Sequence, residues 1–290
     1  MRIAIGIATI GRAEVLREVL AELHRQGRAP DRVLVCHTKP ADVAGCDGIW
    51  PGAEFLTSTP GLPKQRNLIL DAAADCDVVL FLDDDFLPQP DYLAVLEANF
   101  AADAALVVAT GEVIADGAKG PGLGVAEGRR LLAADTARPA LLAAVPTFNG
   151  YGCNMAVRMA TVRAHGIRVD ENLPLYAWYE DLDFTRLLGR HGHIRRLPAA
   201  RGVHLGVKFG RGSGVRLGYS QVVNPVYLGR KGTYPWNRGL RSIARHCLMN
   251  LLRSASPEPW VDRWGRFRGN MAGLWDLLRG KAHPMRVLRF

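Results

Sequence analysis

Three consecutive carboxylates, Asp83, Asp84 and Asp85, follow the apolar run Val78-Val79-Leu80-Phe81-Leu82. Anions gathered beside buried chain repel one another and lose hydration, so a cation is needed to offset them. Oxygen donors of this kind suit magnesium or manganese, which keep several waters and commonly share one or two carboxylates with substrate phosphates. In extended chain, residues two apart share a side, so Asp83 and Asp85 are expected to point together and Asp84 away. A second acidic group, Glu180-Asp181-Leu182-Asp183, opens a stretch in which Phe184, Leu187, Leu188 and His191 recur at helical spacing. Projected at about 100° per residue, that stripe predicts Glu180 and Asp181 turned inward and Leu182 outward. A carboxylate there is suited to take the proton of a hydroxyl nucleophile, and Trp178 and Tyr179 offer flat apolar faces to a sugar ring. Further on, Val203, Leu205, Val207 and Phe209 alternate with His204, Gly206 and Lys208, which predicts a strand with His204 and Lys208 on its polar side.

The elements that must position these residues alternate between strand and helix. Residues 2–9 read as a buried strand, 13–26 as a helix, 32–38 as a strand and 53–57 as a short one. A helix opens at Gly61-Leu62-Pro63, the most apolar strand covers 77–83, and a further helix starts near Pro90. This order predicts an α/β fold with an open, mostly parallel sheet and helices on both faces, which takes ligands beyond the carboxyl ends of its strands. Thr9 stands at such an end, Arg12 follows it, and Lys64, Arg66 and Asn67 stand at a helix start, so these positions are suited to receive a nucleotide. Gly117–Gly124 and Gly210–Gly218 read as glycine-rich connections, the second as a mobile loop whose closure would bring Lys208 and Arg211 to a diphosphate.

In order along the chain, Ala8-Thr9-Ile10-Gly11-Arg12, Lys64-Gln65-Arg66-Asn67, Leu82-Asp83-Asp84-Asp85, Gly152-Cys153-Asn154-Met155 and Glu180-Asp181-Leu182-Asp183-Phe184 resemble the motifs of family-2 glycosyltransferases of the GT-A fold. The resemblance spans roughly residues 1–210. It implies that Asp83 and Asp85 hold a divalent metal, manganese or magnesium, bridging the donor diphosphate, with His204 as a third ligand. It further implies Asp84 near the donor ribose, Asn154 in the substrate site, Asp181 as general base, Glu180 on the acceptor and Asp183 in support. A single base suits direct displacement with inversion, since double displacement needs a nucleophile on the opposite face of the sugar. The second strand ends in Cys36-His37-Thr38, where the family often carries an aspartate against the base.

The chain has 290 residues, 48% apolar and 22% charged, a composition that excludes disordered and fibrous classes. No apolar run approaches the roughly 20 residues of a membrane-spanning helix. Five cysteines, odd in number and never spaced C-x-x-C, argue against a zinc ribbon or disulfide framework. The amino-terminal residues lack the pattern of a secretory signal, so a cytoplasmic location is expected. The net charge of +9 is unevenly held: residues 216–290 carry 14 Lys and Arg against Glu258, Asp262 and Asp276, leaving residues 1–215 slightly acidic. The expected organisation is therefore a nucleotide-sugar transferase domain, 1–215, and a basic amphipathic helical tail, 216–290. Tryptophans and leucines interleaved with the cations suit an anionic membrane surface, making the protein peripheral at the inner face of the cytoplasmic membrane. A nucleic-acid surface is the competing partner.

The resulting expectation is transfer of a sugar from a nucleotide-diphosphate donor, UDP-linked, to a hydroxyl of a saccharide or lipid-linked acceptor in surface polysaccharide assembly. A sugar-phosphate nucleotidyltransferase would want a glycine-rich loop after the first strand, where Thr9-Ile10-Gly11-Arg12 supplies one glycine. A non-catalytic binding scaffold would gain nothing from three mutually repelling carboxylates.

Overall fold

Runs of Ile, Val and Leu with no polar alternation form strands covered on both faces, and the first and fourth strands are of this kind. The computed structural model describes residues 1–136, 143–208 and 213–290. They divide into two units: 1–60, 64–168 and 184–210, and 61–63, 169–183 and 211–290. The expected division at 215/216 differs in that 61–63 and 169–183 group with the carboxyl-terminal helices.

The elements in order are β1 (Ile3–Ala8), α1 (Ala13–Leu23), β2 (Arg32–His37), β3 (Glu54–Thr57), α2 (Leu62–Ala72) and β4 (Val78–Asp83). Then come β5 (Phe86–Pro88), α3 (Tyr92–Ala102), β6 (Leu106–Asp116), α4 (Val125–Asp135), β7 (Val145–Pro146) and β8 (Asn154–Arg158). The last are α5 (Met159–His165), α6 (Glu180–Leu188), β9 (His193–His204), α7 (Gly214–Lys231), α8 (Trp236–Arg253) and α9 (Arg263–Leu278).

In the first unit the strands form one sheet in the order β3-β2-β1-β4-β8-β6-β9-β5, with β7 paired to β9. It is parallel from β3 to β4, as expected; β8 runs against both β4 and β6, and β5 and β7 against β9. Strands β6 and β9 are parallel over their length. Their register starts at Leu106 opposite His193, shifts three times, and ends with Asp116 opposite His204. The core joins Ile3, Ile5 and Ile7 of β1, Leu16, Leu20 and Leu23 of α1, and Val78, Leu80 and Leu82 of β4. Burial of aliphatic side chains at about 1.5–3 kcal/mol each makes this cluster the rigid support for the strand ends.

The second unit is built differently. Helices α7 and α9 meet through glycines: a Cβ on Gly218 would collide with the carbonyl oxygen of Arg266, and one on Gly269 with that of Val215. Gly214 and Gly218 of α7, and Gly265, Gly269 and Gly273 of α9, each recur at a spacing of four, so they line one face of each helix. Gly214 and Gly218 thus belong to a helix, and the mobile loop expected over 210–218 is not found from Gly214 onward. Beside this seam, Asn250 Nδ2 donates to Gln221 Oε1 and Asn270 Oδ1, and Asn270 Nδ2 to the Gly218 carbonyl. Lys231 Nζ reaches Asp170 Oδ2 and Asp183 Oδ2, each at 2.6 Å, and Thr233 Oγ1 donates to Asp183 Oδ1.

Candidate active site

Strand β4 stops at Asp83, and the chain turns through Asp84 and Asp85 before β5 begins. The turn splits the triplet as expected. One donor atom each from Asp83, Asp85 and His204 lies within 4.8 Å of the others. His204 Nε2 is 3.4 Å from Asp85 Oδ1 and 3.7 Å from Asp83 Oδ2. The opposite ring nitrogen, Nδ1, is 2.9 Å from Asp116 Oδ1. An imidazole held by one carboxylate thus presents its far nitrogen to two others, a common arrangement in metal sites. Asp116 also accepts from Tyr151 Oη at 3.2 Å, and the Tyr151 ring stands edge-on to His204.

The electrostatics match this geometry. Burial lowers the pKa of His204, but Asp116 and Asp85 outweigh it and push the imidazole up to about 10. Burial would raise Asp85 and Asp116, yet His204 beside both holds each below the usual carboxylate range. Asp85 Oδ1 is buried and has no hydrogen-bond partner among the described residues. Two carboxylates, an oriented imidazole and an orphaned buried oxygen therefore make a donor set that fits a divalent cation of the magnesium or manganese type.

Asp84 faces the other way and is wholly buried. Thr9 Oγ1 donates to its Oδ2 at 2.6 Å, and Arg12 Nη2 pairs with its Oδ1 at 2.7 Å. Arg12 Nη1 also reaches Asp85 Oδ2 at 3.2 Å. Burial, partly offset by Arg12, raises Asp84 to about 7. Thr9 and Arg12, read from the sequence as nucleotide contacts, are in this structure partners of the aspartates.

The remaining candidates of the first unit border the same strand end. Arg66 is buried, its Nη2 donating to the Gly152 carbonyl at 2.7 Å and standing 3.5 Å from Asp83 Oδ1. Asn67 is buried one residue on, whereas Lys64 is exposed and donates to Thr59 Oγ1 at 3.3 Å. Asn154 pairs in register with Leu82; its Oδ1 accepts from Thr110 Oγ1, and its Nδ2 is buried without a partner among the described residues. The alternation over 203–209 does not continue as strand, because β9 ends at His204 and Gly206 turns the chain with φ +64°. Lys208 Nζ accordingly donates to the carbonyls of Gly117 and Ala118. Arg211 lies outside the described residues.

In the second unit, Glu180, Asp181 and Asp183 occupy the first turn of α6, where the helix dipole favours anions. Glu180 and Asp183 are buried, and Asp181 is part-exposed with Oδ1 accepting from the Leu182 amide. Two expectations are corrected. Leu182 is buried rather than turned out, and His191 is exposed and stacked on His165, because α6 ends at Leu188 and the stripe does not extend that far. The approach to α6 is strained: Leu175, Ala177 and Tyr179 all take positive φ, an unfavourable region for residues with a Cβ. Two bonds hold the segment: Tyr179 Oη lies 2.6 Å from Ser242 Oγ, and Asn224 Nδ2 donates to the Trp178 carbonyl. Trp178 is half-buried, its ring stacked on Tyr176.

Two residues escaped the sequence reading. Asp116 ends an apolar strand just as Asp83 does, and that parallel was the available signal. Asp42, past the end of β2, accepts from the amides of Gly11, Thr38 and Lys39 and from Thr38 Oγ1, so its carboxylate shapes both loops beside the strand ends.

The model of Glycosyl transferase family 2 matches residues 4–161. No curated protein sequence matches the chain. Among solved structures, a mannosyltransferase from Pyrobaculum calidifontis, in complex with GDP-Man and Mn2+, is similar at 15% identity and a TM-score of 0.56, covering 95% of this chain and 87% of that one. Glucosyl-3-phosphoglycerate synthase from Mycobacterium tuberculosis, in complex with Mn2+, UDP and its glucosylated product, is similar at 18% identity and a TM-score of 0.50, over 81% of each chain. S. aureus TarS 1-349 is similar at 18% identity and a TM-score of 0.51; the match covers 70% of this chain and 59% of the length of that one. These likenesses show the fold, a mixed α/β sheet of the GT-A kind.

Proposed function

The chain belongs to glycosyl transferase family 2, a family of glycosyltransferases, and from that premise we propose that it transfers a sugar with inversion from a nucleotide-diphosphate donor to a hydroxyl acceptor in a metal-dependent reaction. The observation that carries this reading is the convergence of Asp83, Asp85 and His204, with Asp116 fixing the imidazole. Asp83, Asp85 and His204 would hold a divalent cation, which would supply Lewis-acid stabilisation of charge on a leaving diphosphate.

The chain's own groups supply the rest. Asp116 keeps the Nδ1 side of His204 occupied, so that Nε2 is the nitrogen available for coordination. Arg12 and Arg66 bring fixed positive charge to the acidic strand end, where it favours a diphosphate. Asp84, held by Thr9 and Arg12, is assigned near the donor ribose. Lys64, Asn67, Asn154, Lys208 and Arg211 are assigned to the donor, and Trp178 and Glu180 to the acceptor. Asp181 is assigned as general base, accepting the acceptor hydroxyl's proton as that oxygen attacks the anomeric carbon. Its part-exposed position at a helix start suits a group that must meet an incoming substrate. Absence of a second carboxylate nucleophile from the assignment gives inversion.

The donor is taken to be a UDP-sugar and the acceptor a lipid-linked saccharide. Structures of similar fold hold UDP or GDP-Man with Mn2+, which supports the diphosphate class. The test is a panel of UDP-, dTDP- and GDP-sugars, each with manganese, with magnesium and with chelator. Metal-dependent hydrolysis or transfer from one donor, lost in Asp83→Asn and in Asp181→Asn, is expected. The Asp181 variant should fall by ~10²- to 10⁴-fold while still binding nucleotide. Equal turnover with chelator, or undiminished transfer in the Asp181 variant, overturns the corresponding assignment.

A further inference from the structure

On α9 the buried residues are small or polar, Gly265, Gly269, Asn270, Gly273 and Asp276, while several of its large apolar residues lie outside. On α9, at about 100° per residue, Gly265, Gly269 and Gly273 form the buried side against α7. Trp264, Met271, Trp275 and Leu278 fall within about 60° of one another on the opposite side. Trp264 is 57% exposed, Trp275 54% and Leu278 81%. Arg268 and Arg279 border this stripe, and the Arg279 guanidinium lies over the Trp275 ring, 4.4 Å from its centroid. On α8 the same projection gives a buried side and a broad exposed side, whose apolar and arginine residues overlap near Leu252 and Arg241. Gly239, Ile243 and Asn250 are buried; Trp236, Leu240, Leu248 and Leu252 are exposed, and Arg238, Arg241 and Arg245 interleave with the last two of these.

We propose that the outer faces of α8 and α9 seat this unit on an anionic lipid surface. Tryptophan and arginine side by side, with leucine and methionine between, match the boundary between acyl chain and headgroup. The indoles and leucines enter the apolar layer by a few ångströms while the arginine stems run along it and keep their guanidinium groups at the phosphates. Charge decides among occupants. A second copy would bring the same strongly basic face against itself, and the +11 balance of residues 216–290 opposes that pairing. A nucleic-acid backbone would satisfy the arginines but leave the tryptophan and leucine stripe wet. No described helix is long and apolar enough to cross a membrane, so the unit lies on the surface rather than through it.

The experiment is flotation of the full chain with vesicles of phosphatidylcholine and phosphatidylglycerol, and with phosphatidylcholine alone. The full chain should float with the anionic vesicles, weakly with the neutral ones, and less as salt rises. Trp264→Ser with Trp275→Ser and Leu278→Ser, all at exposed positions, should lower the bound fraction at least about tenfold with an unchanged circular dichroism spectrum. Arg268→Gln with Arg279→Gln should remove the preference for anionic lipid. Failure of the full chain to float overturns the proposal, as does equal flotation of the serine variant. A lipid-free dimer abolished by the serine variant would instead identify the face as a contact between copies. Tighter binding of polyuridylate than of anionic vesicles would identify it as a nucleic-acid surface. Because vesicles carry no donor or acceptor, these results stand apart from whether the chain transfers sugar.

Discussion

His204 and Asp116 stand opposite one another at the ends of two parallel strands, with Nδ1 and Oδ1 2.9 Å apart. The carboxylate therefore governs which ring nitrogen faces Asp83 and Asp85. Asp116→Ala should weaken manganese binding by about 10- to 100-fold, the usual effect of losing a partner of a ligating histidine. Titration of Mn2+ by electron paramagnetic resonance would measure it. An affinity equal to that of the unaltered chain would remove Asp116 from the site.

Arg12 is the counterion of a wholly buried carboxylate. Arg12→Met leaves Asp84 enclosed with Thr9 as its hydroxyl donor and should cost about 2–3 kcal/mol of unfolding free energy at pH 9, where Asp84 is ionised, and less at pH 6, where it is protonated. Adding Asp84→Asn removes the uncompensated charge, so the double variant should recover most of that loss. Urea unfolding of the cycle checks both steps. A single variant as stable as the parent would show Arg12 to be free of this structural duty.

Two helical glycines should respond to alanine with opposite sign. At Gly218 the new methyl meets the Arg266 carbonyl on the neighbouring helix, so Gly218→Ala should destabilise by about 1–3 kcal/mol despite alanine's better helix propensity. At Gly239 the nearest atom is 3.6 Å away, an ordinary contact, and Gly239→Ala should stabilise by up to about 1 kcal/mol. Thermal melts of the two variants are the measurement, and like signs would refute the backbone seam.

Acid should weaken the second unit through His246. Burial, together with Arg245, Arg266 and Arg263, lowers this imidazole to about 4 from an ordinary value near 6.5. Between those pH values the unfolded chain binds more protons than the folded one. The contribution is thus complete above about pH 6.5 and is lost as pH falls toward 4, by about 2–3 kcal/mol. His246→Phe, which can keep the edge contact with Trp178, should flatten stability against pH across that window. An unchanged slope in denaturation from pH 7 to 4 would assign the acid response elsewhere.

Local pattern revealed what local pattern determines. Asp83 and Asp85 could be paired from the sequence because they stand two apart where an apolar strand ends; alternation set His204 on a polar side, and the family resemblance supplied its role as a ligand. Asp116 was invisible as its partner: 88 residues separate the two, and strand pairing alone joins them. The pairing of Arg12 with Asp84 was hidden for the same reason, since 72 positions separate them. Leu182 was turned the wrong way because the projection assumes one buried side, whereas Leu182, Asp183, Phe184 and Thr185 are all buried. The basic, tryptophan-rich helices were legible, whereas the glycine seam was not, since Gly214 and Gly218 in isolation look like loop residues.

The three shifts between β6 and β9 amount to an exercise in counting. Had the two strands run in step from Leu106 and His193, Asp116 would have met Val203, and the imidazole would have had no carboxylate at its back. The surplus residues of β9 fall between Leu197 and Arg201, where three lack an opposite number, and two skipped positions on β6 recover all but one of them. Chain length through that short span therefore sets which residue Asp116 meets. Anyone splicing segments between relatives must keep all three of Pro198, Ala199 and Ala200, or the pairing of Asp116 with His204 is lost.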